Sequence, residues 1–232
     1  MGILTNALPL ILAYPFTPGR MIFHSAGITV VGIFSGNSST ASFDITLTGT
    51  ASGDVCYVNQ CGAATATYPS GYTGLTTVQL GGTTRYFNTS RKVFSAADSS
   101  VTIPASQGSP VGNAAIAIVL RGVNATPEDA TTTTASNTTG QPDNASITTV
   151  TNNALVIAAF GAYVNADGTY TAPSGYSNNT GTYGDGALDI GVGLATLVKT
   201  SAGAEDPGAW SGVTFNASAP YWGASTVAVR PA

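Results

Sequence analysis

The runs Ala114-Ala-Ile-Ala-Ile-Val-Leu120 and Ala154-Leu-Val-Ile-Ala-Ala-Phe160 contain no polar side chain. An apolar run of this length could be a buried helix. The β-branched content and the flanking Gly and Asn favour strands, and continuous rather than alternating hydrophobicity means strands covered on both faces. Outward from these runs, short segments rich in Val, Ile, Thr and aromatics alternate with Gly, Pro, Asn and Asp clusters. The first half reads as strands near 28–34, 42–48, 55–60, 76–80, 86–93, 100–103 and 114–121. The second reads as strands near 146–150, 154–164, 187–198, 210–215 and 222–229.

Composition agrees with an all-β chain. Of 232 residues 43% are hydrophobic but only 8% charged, far below the roughly 25% of an ordinary soluble domain. The polar surface must come from Ser, Thr, Asn and Gly, which suit pleated faces and turns, and the Glu/Lys/Arg stripes of solvent-facing helices are missing. Net charge is −4 and the seven basic residues are scattered. No basic patch gathers phosphates, so nucleic acid is excluded as a direct partner.

The two halves share an order of features. Pro69-Ser-Gly-Tyr72 recurs as Pro173-Ser-Gly-Tyr176, shifted by 173 − 69 = 104 positions. Each copy follows a buried strand and precedes a polar strand. A Lys-bearing strand comes next (Arg91-Lys92-Val93, Leu197-Val198-Lys199), then an Ala/Val/Ile strand ending in Arg121-Gly or Arg230-Pro. The reading is one two-sheet sandwich over 21–232. Half one spans about 21–123 and half two about 144–232, each supplying alternating strands, with 124–143 a Thr/Ser/Asn-rich crossing loop. Residues 1–20 form an extended, Pro-punctuated apolar arm. Its Ile3, Leu4, Leu8, Leu10, Ile11, Leu12, Tyr14 and Phe16 either lie on their own domain as an edge strand or dock in a groove or sheet edge of another subunit. The arm lacks the basic residues of an export signal, and Pro9 and Pro15 interrupt it too early for a membrane span.

Gly53-Asp-Val55, Pro69-Ser-Gly-Tyr-Thr73, Leu120-Arg-Gly122, Pro173-Ser-Gly-Tyr176 and Tyr221-Trp-Gly-Ala-Ser-Thr-Val-Ala-Val-Arg-Pro231 resemble the duplicated jelly-roll-like modules of virion proteins of tailed bacteriophages. The resemblance covers about 22–232 and rests on structural corners. It implies an all-β, jelly-roll-like sandwich and a place on the virion surface, with assembly in the host cytoplasm. The partner it implies is the major capsid protein or another virion subunit, with the chain itself a homo-oligomer, a trimer. A capsid decoration or cement protein is the role expected; a tail or fibre adhesin binding host-surface glycans is the alternative.

Nothing in the sequence points to catalysis or to a cofactor. The one histidine, His24, has no Gly-x-Ser-x-Gly elbow to serve. The acidic pairs Glu128/Asp129, Asp185/Asp189 and Glu205/Asp206 read as solvated loop charges rather than a glycosidase couple. Asn165-Ala-Asp-Gly168 resembles the start of a calcium loop but lacks its acidic end, and a tight hairpin turn explains it. Cys56 and Cys61, if extended, lie ~16 Å apart, too far to bond; free thiols are expected, with a small closed loop the alternative. Most of the aromatics concentrated in the second half read as core. Tyr170 and Tyr183, placed on loops, are the best candidates for ligand contacts.

Overall fold

The computed structural model describes residues 27–39, 41–63, 67–81, 85–105, 112–164, 170–184, 190–215 and 220–232. Among them there is no helix. The strands in chain order are β1 (Thr29–Ser38), β2 (Phe43–Thr46), β3 (Val55–Ala63), β4 (Thr73–Gln79), β5 (Arg85–Val93), β6 (Ser100–Ile103), β7 (Asn113–Arg121), β8 (Val123–Glu128), β9 (Thr133–Asn137), β10 (Asp143–Asn144), β11 (Ile147–Thr149), β12 (Ala154–Tyr163), β13 (Ser177–Gly184), β14 (Ile190–Lys199), β15 (Gly203–Glu205), β16 (Gly208–Ala209) and β17 (Trp222–Pro231).

Two antiparallel sheets carry the structure. Sheet one runs β1-β7-β3-β5-β4; sheet two runs β13-β14-β12-β17, with β8 and β9 both pairing with the far edge of β17. The halves therefore do not supply alternating strands as expected: each half builds its own sheet, and the sandwich is half against half. The segment expected to be a crossing loop, 124–143, instead places β8 and β9 along β17. Its Thr-rich stretch gives up loop freedom for a ladder on an otherwise open edge.

The two quoted apolar runs are the central strands β7 and β12, and strand periodicity explains their lack of polar residues. On β7, Ile116, Ile118 and Leu120 face the core between the sheets, where they meet Leu155, Ile157, Val192, Leu194, Val227 and Val229 of sheet two. Ala115, Ala117 and Val119 point outward under a lid made by β2 paired with β6, which contributes Phe43, Ile45, Val101 and Ile103. On β12, Ala158, Phe160 and Ala162 point outward into a third cluster closed by Tyr170, Trp210, Val213 and Trp222. Strands β7 and β12 are covered on both faces, as the continuous runs require.

The strand expected at 210–215 is replaced by short β16 and two isolated bridges, Thr171 with Ser211 and Val164 with Phe215. Gly208 and Gly212 both take φ near +75°, a region that favours glycine. They turn the chain on either side of Trp210, whose ring enters the core.

The Pro-Ser-Gly-Tyr corners are the same turn twice. Tyr72 N–H donates to Pro69 O at 3.0 Å and Tyr176 N–H to Pro173 O at 3.1 Å, with Gly71 and Gly175 at φ +78° and +84°.

Cys56 and Cys61 lie on β3 with odd spacing and so face opposite sides, the first under the lid and the second between the sheets. Both are free and buried. Burial pushes the Cys56 thiol up to about 12 and raises Cys61 as well. Neither is expected to react with maleimide in the native state, and both should label in denaturant; native labelling at the rate of a free thiol would contradict the packing.

Candidate functional site

Edge strands β4 and β9 lie over one another, with an irregularity within the first and a break in the ladder just before the second. The register of β4 on β5 slips between Gly74 and Thr76, and the chain leaves the β17 ladder between Glu128 and Thr133. Bulges of this kind re-aim side chains and open an edge. The result is an open groove of about 450 Å³ lined by Gly74, Leu75, Glu128, Ala130, Thr131 and Thr132.

A three-residue polar cluster anchors the groove. Arg91 alternates along β5 with Phe87 and Thr89 and therefore faces inward, where a charge needs a partner. Its Nε lies against Glu128 Oε1. The hydroxyl of the fully buried Tyr57 donates to the same carboxylate oxygen at 3.3 Å. Burial, reinforced by the Glu128 charge, raises the Tyr57 pKa, so the hydroxyl stays protonated as a donor. Glu128 is thus an acceptor already engaged by a cation and a hydroxyl.

Its sequence neighbour Asp129 points away from this cluster to other partners. The Asp129 carboxylate accepts from Val150 N–H at 2.7 Å, Thr151 N–H at 3.2 Å and Thr151 Oγ1–H at 2.7 Å, and pairs with Arg230 at 3.3 Å. The reading of Glu128/Asp129 as solvated loop charges is therefore corrected: one is paired beside the groove and the other is buried. Glu205 is likewise held, by Lys199 at 3.0 Å and by the Tyr176 hydroxyl at 3.3 Å.

The remaining ion pairs fasten strand ends. Arg121 forks onto Asp54, Nε to Oδ1 at 2.8 Å and Nη2 to Oδ2 at 2.7 Å. Lys92 reaches Asp98 at 2.8 Å. Among the described residues no group of three His, Cys, Asp or Glu side chains comes together to hold a metal.

The two tyrosines singled out as ligand contacts part company. Tyr183 stands on edge strand β13, 37% exposed, not on a loop. Tyr170 is 8% exposed. Its ring lies edge-on to Phe160 with centroids 5.1 Å apart, over Gly181 and Gly191, where a Cβ would come within 2.4 Å of the ring and 2.1 Å of its hydroxyl oxygen respectively. It is a core side chain whose ring replaces the side chains those glycines lack; Tyr170 does lie between strands, and the exposure inferred from that is corrected. Its hydroxyl has no partner, so Tyr170→Phe is expected to leave stability unchanged or raise it by up to ~1 kcal/mol, while Tyr170→Ala costs ~3–5 kcal/mol. Urea denaturation of the two variants checks both.

Neither a protein-family model, nor a curated protein, nor a solved structure matches the chain significantly. The apolar arm residues Ile3, Leu4, Leu8, Leu10, Ile11, Leu12, Tyr14 and Phe16, together with His24, Asn165 to Gly168 and Asp185/Asp189, lie outside the described residues. The Tyr57–Arg91–Glu128 cluster was not singled out from sequence. The signal that could have found it is Arg91 at an inward strand position, in a chain with few charges to offer it.

Proposed function

We propose that the chain is a non-catalytic structural protein of a virion surface, a decoration or cement protein of a tailed-phage head that binds the major capsid protein as a homotrimer. The observation that supports this reading is how the charges are used. Asp54, Asp98, Glu128, Asp129 and Glu205 are all spent on ion pairs that tie strand ends to their own fold. Among the described residues the exterior keeps a few further acids, Asp44, Asp143 and Asp206, and is otherwise rich in Ser, Thr, Asn and Gly, a sparsely charged surface suited to docking by shape and hydrogen bonds on a repeated lattice. Binding only the assembled lattice stabilises the particle by mass action.

The resemblance to duplicated virion modules gains support from the sheet orders. In sheet one the order is β4-β5-β3-β7-β1, and in sheet two β13-β14-β12-β17-β9. Lys92–Asp98 and Lys199–Glu205 are both pairs six residues apart beside the corner tyrosines. Across the sandwich β1 packs on β13 as β4 packs on β9, and β7 on β14 as β5 on β17. We read these as two copies of one module facing each other about an approximate two-fold axis, each copy contributing one sheet.

Mass-spectrometric stoichiometry of purified particles tests the role. Copies in the hundreds, in fixed ratio to the shell protein, support decoration; absence from particles overturns the reading. A handful of copies would favour the second reading, a tail or fibre adhesin for host-surface glycans, to which the open seam groove and exposed Tyr183 lend support.

A further inference from the structure

The lid on sheet one covers only part of its outer face. Next to it a row of polar side chains crosses four strands. Gln60 on β3 stands directly opposite Asn88 on β5, Asn88 stands opposite Thr77 on β4, and Asn113 of β7 joins from the other side. Gln60 Nε2–H donates to Asn113 Oδ1 at 3.4 Å, and Asn113 Nδ2–H donates to Pro104 O at 2.7 Å. At the outer end the Tyr68 hydroxyl shares a 2.8 Å hydrogen bond with Thr77 Oγ1. The half-buried Tyr68 ring lies over Gly74, where a Cβ would meet it at 2.2 Å.

Two acceptors in this row are unmatched. Gln60 and Asn88 are only 5% and 6% exposed, yet Gln60 Oε1 and Asn88 Oδ1 have no hydrogen-bond partner. A buried acceptor left unpaired is costly, and two of them on facing residues call for O–H or N–H donors arriving together. Directly opposed side chains start from Cβ atoms ~4.5–5.5 Å apart, a spacing that neighbouring hydroxyls of one sugar ring span with ordinary hydrogen bonds. No carboxylate lies on the row, which disfavours a hard cation, since such ions are usually held by charged oxygens. A lone water bridging the two oxygens would use nothing else of the row. The row instead runs out to an exposed Thr77 beside a half-buried tyrosine ring, the polar-tipped aromatic surface that packs against a sugar face.

We propose that this amide row is a binding site for a neutral, hydroxyl-rich ligand, a saccharide whose hydroxyls donate to Gln60 Oε1 and Asn88 Oδ1 while its ring rests on Tyr68. The inference rests on the adhesin reading and moves its ligand site from the second half to the outer face of sheet one.

The test is a glycan array of neutral and anionic saccharides probed with the full chain, with Asn88→Leu and Gln60→Met, and with the seam variant Thr131→Arg. Replacing the unpartnered Asn88 Oδ1 by an apolar group of similar size should leave the fold and its melting temperature intact. Gln60→Met also gives up the Nε2–H bond to Asn113 Oδ1 and should melt slightly lower, so both variants are assayed well below their melting temperatures. Binding of neutral saccharides that falls at least tenfold in both row variants, but not in the seam variant, supports the site. Glycan binding that survives in the row variants and is lost in Thr131→Arg overturns it while sparing the adhesin reading. No saccharide bound by the unaltered chain overturns both. A saccharide-soaked crystal with a single water bridging Gln60 and Asn88 overturns the site alone.

Discussion

Trp210→Ala is expected to cost about 3–5 kcal/mol, the range for emptying an aromatic site in a packed core. Trp210 is 1% exposed and is the largest fully buried side chain among the described residues. Its ring stands edge-on to Phe160 at 4.8 Å. Its Nε1–H donates to Asn144 Oδ1 at 2.8 Å, and Asn144 in turn donates to Ser225 O at 2.7 Å and to Ala159 O at 3.2 Å. The indole thus does two jobs: it fills volume between β12 and the β16 segment, and it completes a polar relay that fixes β10 across β12 and β17. Alanine opens a cavity and leaves Asn144 Oδ1 without its donor. Trp210→Phe separates the parts, keeping most of the volume while losing the hydrogen bond, and should cost ~1–3 kcal/mol. Urea denaturation reads both. A loss below ~1 kcal/mol for the alanine variant would contradict the placement of the ring.

Asp129→Ala should cost on the order of 3 kcal/mol, because it removes one buried carboxylate and strands four donors at once. Those donors are Val150 N–H, Thr151 N–H, the Thr151 hydroxyl and Arg230. The same site sets a pH dependence. Burial alone would raise the Asp129 pKa, but the bonds from Thr151, Val150 and Arg230 outweigh it and hold the carboxyl below its ordinary value. A carboxyl depressed in the folded state adds stability in full above its unfolded pKa of about 3.9. That stability is lost as the pH falls from there through the folded value. The unaltered chain should therefore lose stability steeply below about pH 4, and Asp129→Asn should start lower at neutral pH and fall less on acidification. Parallel pH profiles for the two proteins would show that Asp129 is not the group responsible.

Much of the fold was legible because strand periodicity is a local signal. The run at 100–103 coincides with β6, and the runs at 114–121 and 154–164 match β7 and β12 to within a residue at each end. Two-faced burial followed from their lack of polar positions. Pairing between distant strands is not local, and so the sequence pattern could not tell whether the halves interleave or each close their own sheet. The 124–143 segment was misread for a related reason. Val123, Ala125 and Ala135 are too sparse among Thr and Asn to look like strands, and they become ones only because β17 offers a ladder edge.

The site was less legible than the fold. Glu128 looked like a solvated loop charge because Pro127 and Asp129 flank it, and its partners Tyr57 and Arg91 lie on strands of the other half. Tyr170 looked exposed because it was placed on a loop. The distant glycines Gly181 on β13 and Gly191 on β14 are the floor on which its ring is buried. The unpaired oxygens of Gln60 and Asn88 have no sequence signature at all, since an amide on a strand is usually satisfied by its neighbours.

The claim on which the rest stands is that half one and half two each form a sheet and share a single core, so that neither is folded without the other. Native-state hydrogen exchange measures this directly. The amides of β3 and β7 and those of β12 and β17 should exchange in one slowest class, with the same opening free energy and the same denaturant dependence, through global unfolding. Two separate classes, with one sheet's amides opening while the other's stay protected, would contradict the shared core.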